Sequence, residues 1–296
     1  MPITNVSSQG VKISCRSTMP VESGRAALFI HGLNTNLAFW HPLIVRQLAA
    51  DRLVLCYDQR GHGGSDMPAT GYTLDDQVGD ALAVLDAHEV AAADVIAHSF
   101  GAGIALQLAR KHPDRVRTIT VLDGRLRSIQ GVVRLGDWEH YPRWSQQLAD
   151  AGMTVDPTWE IDCRLPVRLE AVDFSRVSGV LEADGFFVPR LTNKRAGQKY
   201  RRLIAETTAF YDYDRCVGLT RDVLCEIHQP TLLVYGTHSP FVPSCEILAA
   251  EMPNVHVELI AGAGHNFPLS LPEPTLRALA AWPPLGVTSE VSELTS

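Results

Sequence analysis

Ala93-Asp94-Val95-Ile96-Ala97-His98-Ser99-Phe100-Gly101-Ala102-Gly103-Ile104-Ala105-Leu106-Gln107-Leu108-Ala109-Arg110 decides how this chain is read. Its first residues form an apolar run with strand character, and its last form a helical stretch. Between them stands one serine flanked by small residues, the signature of a nucleophile elbow. Such a turn has no room for side chains at its flanks, so Gly or Ala is required there. In return the Ser99 hydroxyl stands above the sheet, near the positive end of the following helix. Ala97 occupies the position where the usual G-x-S-x-G pattern has its first glycine. A methyl group is the smallest possible intrusion there. Taken alone, the pattern also fits a helix N-terminus capped by a serine, so the rest of the chain has to decide.

The chain has 296 residues and is 46% hydrophobic, enough for one large domain or a core carrying an insertion. Its net charge of −7 gives no basic field, so neither nucleic acid nor an anionic membrane surface is an expected partner. The first residues have neither a charged leader nor an apolar run, and no apolar run approaches a bilayer's thickness. The six cysteines are scattered, with no C-x-x-C pair and no histidine cluster at metal-ligand spacing. They read as reduced, packing thiols in a cytoplasmic protein with no metal site. Nothing in the sequence bears on oligomeric state.

Strands are expected over 11–15, 26–30, 53–57, 93–97, 118–122, 231–235 and 255–260, and helices over 38–50, 74–88, 99–111, 244–252 and 273–281. The central strands are apolar throughout, as in a sheet covered by helices on both faces. The alternation argues for an α/β architecture with an open, mostly parallel sheet. Thr73, followed by Leu74-Asp75-Asp76, is the expected N-cap of one helix. The alternation breaks from Arg125 to about Gly218, where aromatics are dense. The expected organisation is a core at 1–124 and 219–282, an insertion at 125–218, and a flexible C-terminal tail at 283–296.

Four further segments take their places around the elbow. His31-Gly32-Leu33-Asn34 ends one apolar strand, and Asp58-Gln59-Arg60-Gly61-His62-Gly63-Gly64-Ser65-Asp66 ends the next. Tyr235-Gly236-Thr237-His238-Ser239-Pro240-Phe241-Val242-Pro243 and Gly262-Ala263-Gly264-His265-Asn266 follow the last two. In this order they resemble the α/β-hydrolase superfamily over roughly residues 10 to 282, the insertion excepted. The resemblance implies an α/β-hydrolase fold with a mainly helical cap, no metal or organic cofactor, and an acyl-transfer site. Ser99 then matches the nucleophile and His265 the base. The oxyanion donors would be the backbone N–H groups of Leu33 and Phe100. Asn34 offers a side-chain donor or a simple turn residue. His31 and His62 read as loop-holding residues, and Asp58, Arg60 and Asp66 as a structural ion-pair set.

One departure matters. The family carries its acid in a G-x-x-D pattern where this chain has Gly236-Thr237-His238-Ser239. Val242-Pro243 follows in the usual way, so the register is secure, and serine cannot stabilise an imidazolium as a carboxylate does. Three readings follow: the acid has moved to Asp123, at the end of the strand after the nucleophile helix; a Ser-His dyad works alone; or hydrolysis has been lost.

The insertion lies where this superfamily carries its cap. Trp138, Tyr141 and Trp144 recur at i, i+3 and i+6, as on one helical face. They either pack the cap onto the core or, with Phe187, line an apolar pocket. The expected activity is a serine hydrolase cleaving an ester, lactone or thioester, or a C–C bond, of a medium-sized hydrophobic acyl compound. Its rivals are a non-hydrolytic cyclase, lyase or acyltransferase and a non-catalytic ligand binder.

Overall fold

The computed structural model describes residues 3–19, 24–40, 42–150, 152–169 and 194–286, apart from the side chains of residues 42, 43 and 194–196. Among them runs an eight-stranded sheet in the order β1-β2-β4-β3-β5-β6-β7-β8. The strands are β1 Ile3–Ser8, β2 Val11–Ser17, β3 Ala26–Ile30, β4 Leu53–Tyr57, β5 Ala93–His98, β6 Val116–Leu122, β7 Thr231–Gly236 and β8 Val255–Ile260. β1 and β2 pair antiparallel, β2 joins β4 antiparallel, and every other neighbouring pair is parallel. The expected strands are all present within one or two residues at each end. β1 was not expected, because Thr4, Asn5, Ser7 and Ser8 leave it only two apolar residues, Ile3 and Val6. The signal for it is Gln9-Gly10, both at positive φ (50° and 80°), which makes the two-residue turn that matches the right-handed twist of a hairpin.

Period-two geometry explains the two-sided core. Along β3, Ala26, Leu28 and Ile30 enter one apolar cluster while Ala27 and Phe29 enter the other. Helices α2 (Leu74–Ala87) and α3 (Gly101–Lys111) cover the first face. Helix α1 (Pro42–Leu48) and the helix Pro272–Ala281 cover the second. Thr73 caps α2 in a full capping box with Asp76. The single helix expected over 38–50 is instead a short 3-10 turn, Leu37–Phe39, followed by α1. Pro42 causes the break, since proline starts a helix readily but disfavours helical backbone before it.

The chain winds outward from β3 in one direction and from β5 in the other. This makes a switch point where the loops after neighbouring strands part and leave a crevice. The residues between β6 and β7 lie over that end. Among the described residues they form short helices with no named strand, and one isolated bridge joins Arg134 to Glu160. Their apolar side chains, Leu135, Trp144, Leu148 and Tyr213 among them, join the first core cluster. Lys199, on the helix Lys194–Glu206, ties this layer to the sheet by donating to the carbonyls of His62, Gly63 and Ser65 at 3.2, 2.8 and 2.7 Å.

At the opposite end of β5, Asp94 is fully buried and faces the equally buried Arg52 at 3.2 Å. Arg25 lies 3.3 Å from the same carboxylate, and Thr118 donates to it at 3.0 Å. The arginines also donate to the carbonyls of Leu285 and Gly286. This corrects the expected start of the tail. Pro283–Leu285 form a 3-10 turn with Leu285 buried, because these arginines and the second apolar cluster hold it. Residues 287–296 lie outside the described residues. Removing the Asp94 carboxylate takes from the buried Arg52 one of its two carboxylate partners, the other being Asp51 at 2.7 Å. Asp94→Ala, which also strips Thr118 and Arg25 of an acceptor, is expected to lower the unfolding free energy by about 1–3 kcal/mol in urea titrations at neutral pH, and an unchanged stability contradicts this account.

Candidate active site

Ser99 sits between β5 and α3 with φ of 55°. That left-handed backbone is costly for a residue with a side chain and persists only where the surroundings enforce it. Here Ser99 N–H donates to Leu122 O at 3.2 Å, while Ser99 O accepts from Ala102 N–H at 3.0 Å and Arg125 N–H at 3.2 Å. A Cβ at Gly101 would lie 2.6 Å from Ile30 O and 2.7 Å from His31 O, so this flank of the elbow admits only glycine. At the other flank the Ala97 methyl is fully buried in the core.

Three side chains from three loops meet at this turn. The Ser99 hydroxyl lies 2.9 Å from His265 Nε2, and His265 Nδ1 lies 2.6 Å from Asp123 Oδ2. Asp123 is fully buried just past the end of β6, with φ of 49°. An ionised carboxylate only accepts, so Nδ1 carries the proton and Nε2 presents its lone pair to the serine. Asp123 accepts two more hydrogen bonds: Oδ1 from Gly236 N–H at 3.1 Å and Oδ2 from the Ser239 hydroxyl at 2.5 Å. Ser239 in turn accepts from Phe241 N–H at 3.1 Å. The residue at the usual acid position thus donates to the Asp123 carboxylate. Sequence reasoning saw Ser239 only as a loss. The available signal was that a hydroxyl there faces a carboxylate one strand away.

Gly124 follows Asp123, and a Cβ there would lie 2.6 Å from Val121 Cγ1 and 2.8 Å from Ala102 Cβ. On the other side of the serine, a Cβ at Gly32 would stand 2.8 Å from Ser99 Cβ. The loop after β3 can therefore approach the nucleophile only through a glycine. This brings Leu33 and Phe100 to the cleft beside Ser99. Neither backbone N–H donates a hydrogen bond among the described residues.

Buried neutral histidines hold these loops. His31 Nε2 accepts from Gln59 N–H at 3.1 Å, which directs its Nδ1 proton to Gly32 O at 2.7 Å. His62 Nε2 accepts from Asn34 N–H at 3.3 Å, and its Nδ1 donates to Arg60 O at 3.2 Å. His98 Nε2 donates to His265 O at 2.9 Å and its ring stacks on Phe39, so it anchors the loop of the base. That role was not expected. Burial lowers the pKa of all three histidines from the ordinary value of 6.5, His62 to about 3. The expected set of Asp58, Arg60 and Asp66 does not pair internally. Arg60 bonds Asp80 through a buried bidentate contact, Asp58 accepts the backbone N–H groups of Leu37 and Gly64, and Asp66 meets Lys12 at the surface. Asp58 is thus spent on backbone donors of two loops, Asp66 on β2, and the Arg60 cation on α2.

A narrow cleft opens over Ser99 and His265. Leu33, Phe100, Ile161, Leu165, Pro166 and Phe241 form its apolar walls, and Arg125, Asp162, Cys163 and Tyr200 supply polar groups. Trp138, Tyr141 and Trp144 are not among them. Trp138 ends a 3-10 turn, Leu135–Asp137, and only Tyr141 and Trp144 lie on the helix Tyr141–Asp150, so the i, i+3, i+6 spacing spans a junction rather than one helical face. Trp138 and Trp144 are buried within the inserted layer, and the Trp138 indole donates to His238 O at 2.9 Å. Tyr141 donates to Val155 O at 2.8 Å. Asn34 also lies outside the cleft, turned into its loop at φ of 56°. Phe187 lies outside the described residues.

A mostly parallel α/β sheet that presents a serine, a histidine and an aspartate in one hydrogen-bonded line defines a class of enzyme. Residues 27–270 match the family model described as alpha/beta hydrolase fold, and the chain belongs to that family. The 2-(acetamidomethylene)succinate hydrolase of Mesorhizobium japonicum is 28% identical over 268 residues, 87% of each chain. A putative carbamate hydrolase of Caulobacter segnis is 29% identical over 266 residues, 86% of this chain and 89% of its own. The enol-lactonase of Burkholderia xenovorans LB400 shares the fold with a TM-score of 0.64 at 18% identity, over 94% of this chain and 98% of that one. The chain is thus an enzyme, a hydrolase of the α/β fold family. No helix of the described residues is long and apolar enough to cross a membrane.

The three buried histidines fix a pH dependence of stability. Their folded pKa values lie below the unfolded value of 6.5, so the unfolded chain binds more protons as pH falls through that value. Stability should be level just above neutrality and fall below about pH 6.5, with a slope approaching about 4 kcal/mol per pH unit if all three stay neutral in the fold. Urea unfolding between pH 7.5 and 5, on the order of five steps, measures the slope, and His62→Gln should reduce it by about one proton.

Proposed function

We propose that this protein is a serine hydrolase that cleaves an ester, lactone or thioester bond through an acyl-enzyme. The observation that carries the reading is the continuous line from Ser99 Oγ through the His265 ring to the buried Asp123 carboxylate. Ser99 attacks the substrate carbonyl as His265 Nε2 takes its proton. Asp123 holds the imidazole in the working tautomer and stabilises the imidazolium. The N–H groups of Leu33 and Phe100 receive the oxyanion. His265 then protonates the leaving group, and water, deprotonated by the same nitrogen, releases the acid. The inserted layer acts as a cap, since its residues and the core's line one cleft. The same residues would serve C–C bond hydrolysis, the type of chemistry that asks a serine to assist by proton transfer. The motives for a non-hydrolytic enzyme were the altered acid position and an insertion that fits no subfamily; the Asp123 carboxylate 2.6 Å from His265 weighs against the first.

A fluorophosphonate probe followed by intact mass tests this reading. One adduct is expected on the wild type and none on Ser99→Ala, with loss of about 10³-fold or more in ester turnover for that variant. An unlabelled wild type contradicts an activated serine. Transferred or cyclised product in place of free acid contradicts hydrolysis.

A further inference from the structure

Resting on the hydrolase reading, we infer that Arg125 is a substrate-recognition residue and that the acyl substrate carries a carboxylate close to the scissile carbonyl. Arg125 follows Asp123 and Gly124 directly, and its backbone N–H donates to Ser99 O at 3.2 Å. Its half-buried side chain lines the same cleft as Ser99 and His265. Among the described residues its guanidinium has no ion pair and no hydrogen bond.

The neighbouring arginines make the contrast. Arg127 pairs with Asp214 at 2.6 Å and with Glu160 at 3.2 Å. Arg164 pairs with Asp162 and, at 3.6 Å, with Glu160. Arg168 lies over the Trp159 ring. Asp162 is the other charged group of the cleft, and it is already committed: it accepts the Arg164 backbone N–H at 2.8 Å as well as that guanidinium. Among the described residues the cleft therefore holds one cation that no carboxylate pairs.

A guanidinium left unpaired among apolar walls gives up hydration for nothing unless a ligand completes it. Its planar fork suits a carboxylate, which it binds through two parallel hydrogen bonds. Rooted two residues beyond the triad carboxylate, it would fix the substrate at a short distance from the carbonyl that Ser99 attacks. This gives orientation as well as affinity. The hydrophobic acyl compound expected from the sequence is thereby refined to one with an apolar body and one acidic end.

The test compares p-nitrophenyl hydrogen glutarate with its methyl-capped isostere in the wild type, Arg125→Met and Arg125→Lys. The expected result is a kcat/KM preference of about 10- to 100-fold for the free carboxylate in the wild type. It should collapse to about one in Arg125→Met and return in part in Arg125→Lys, a rescue that a merely structural role would not give. Equal rates for the two esters in the wild type overturn the inference, as does a preference that survives Arg125→Met. Failure to turn over the carboxylate ester while Ser99 still takes the fluorophosphonate label counts against it equally. Absence of labelling instead overturns the hydrolase reading beneath it.

Discussion

The buried carboxylate of Asp123 is the group on which the site depends. It lies at the end of a central strand with no access to water, so every lone pair needs a partner from the protein. Gly236 at the end of β7, Ser239 in the loop after it and His265 in the loop after β8 supply the donors. One ionisable group thus holds the loop of the base and the turn after β7 in a common geometry. The left-handed backbone at Asp123 and the absence of a Cβ at Gly124 follow from the same demand, for they bend the chain sharply enough to aim the carboxylate across the sheet.

A second constraint is close approach. The nucleophile turn and the loop after β3 come within contact of each other only through Gly32 and Gly101. Around them, histidines with two distinct nitrogens act as directional struts, one nitrogen accepting and the other donating. Burial keeps these rings neutral and their tautomers fixed. Rigidity of this kind suits a site whose groups must meet a short-lived oxyanion without reorganising.

Much of this was legible in the sequence because it is local. Apolar runs gave the central strands, the small residues about Ser99 gave the elbow, and Thr73 with Asp76 gave a cap. The ordered loops carried the resemblance to α/β hydrolases. What was not legible depends on contacts between distant segments. The pairing of Ser239 with Asp123 spans 116 residues and the anchoring of His265 by His98 spans 167. The edge strand β1 is too polar to announce itself, and Pro42 divides what periodicity read as one helix. Trp138 and Trp144 carried the strongest aromatic pattern of the insertion, yet they serve its packing. The inserted residues that line the cleft, Ile161 and Leu165 among them, have no distinguishing pattern at all.

The relocation of the acid from the loop after β7 to the end of β6 is the central claim, and turnover of Asp123→Asn beside Ser239→Ala tests it most directly. With circular dichroism unchanged, the account predicts a fall in kcat of about 10⁴-fold for Asp123→Asn, because the amide turns the imidazole to the wrong tautomer. It predicts a fall of no more than about 10²-fold for Ser239→Ala, which removes one of three donors and leaves the carboxylate in place. A folded Asp123→Asn enzyme that retains kcat within about tenfold of the wild type would contradict it.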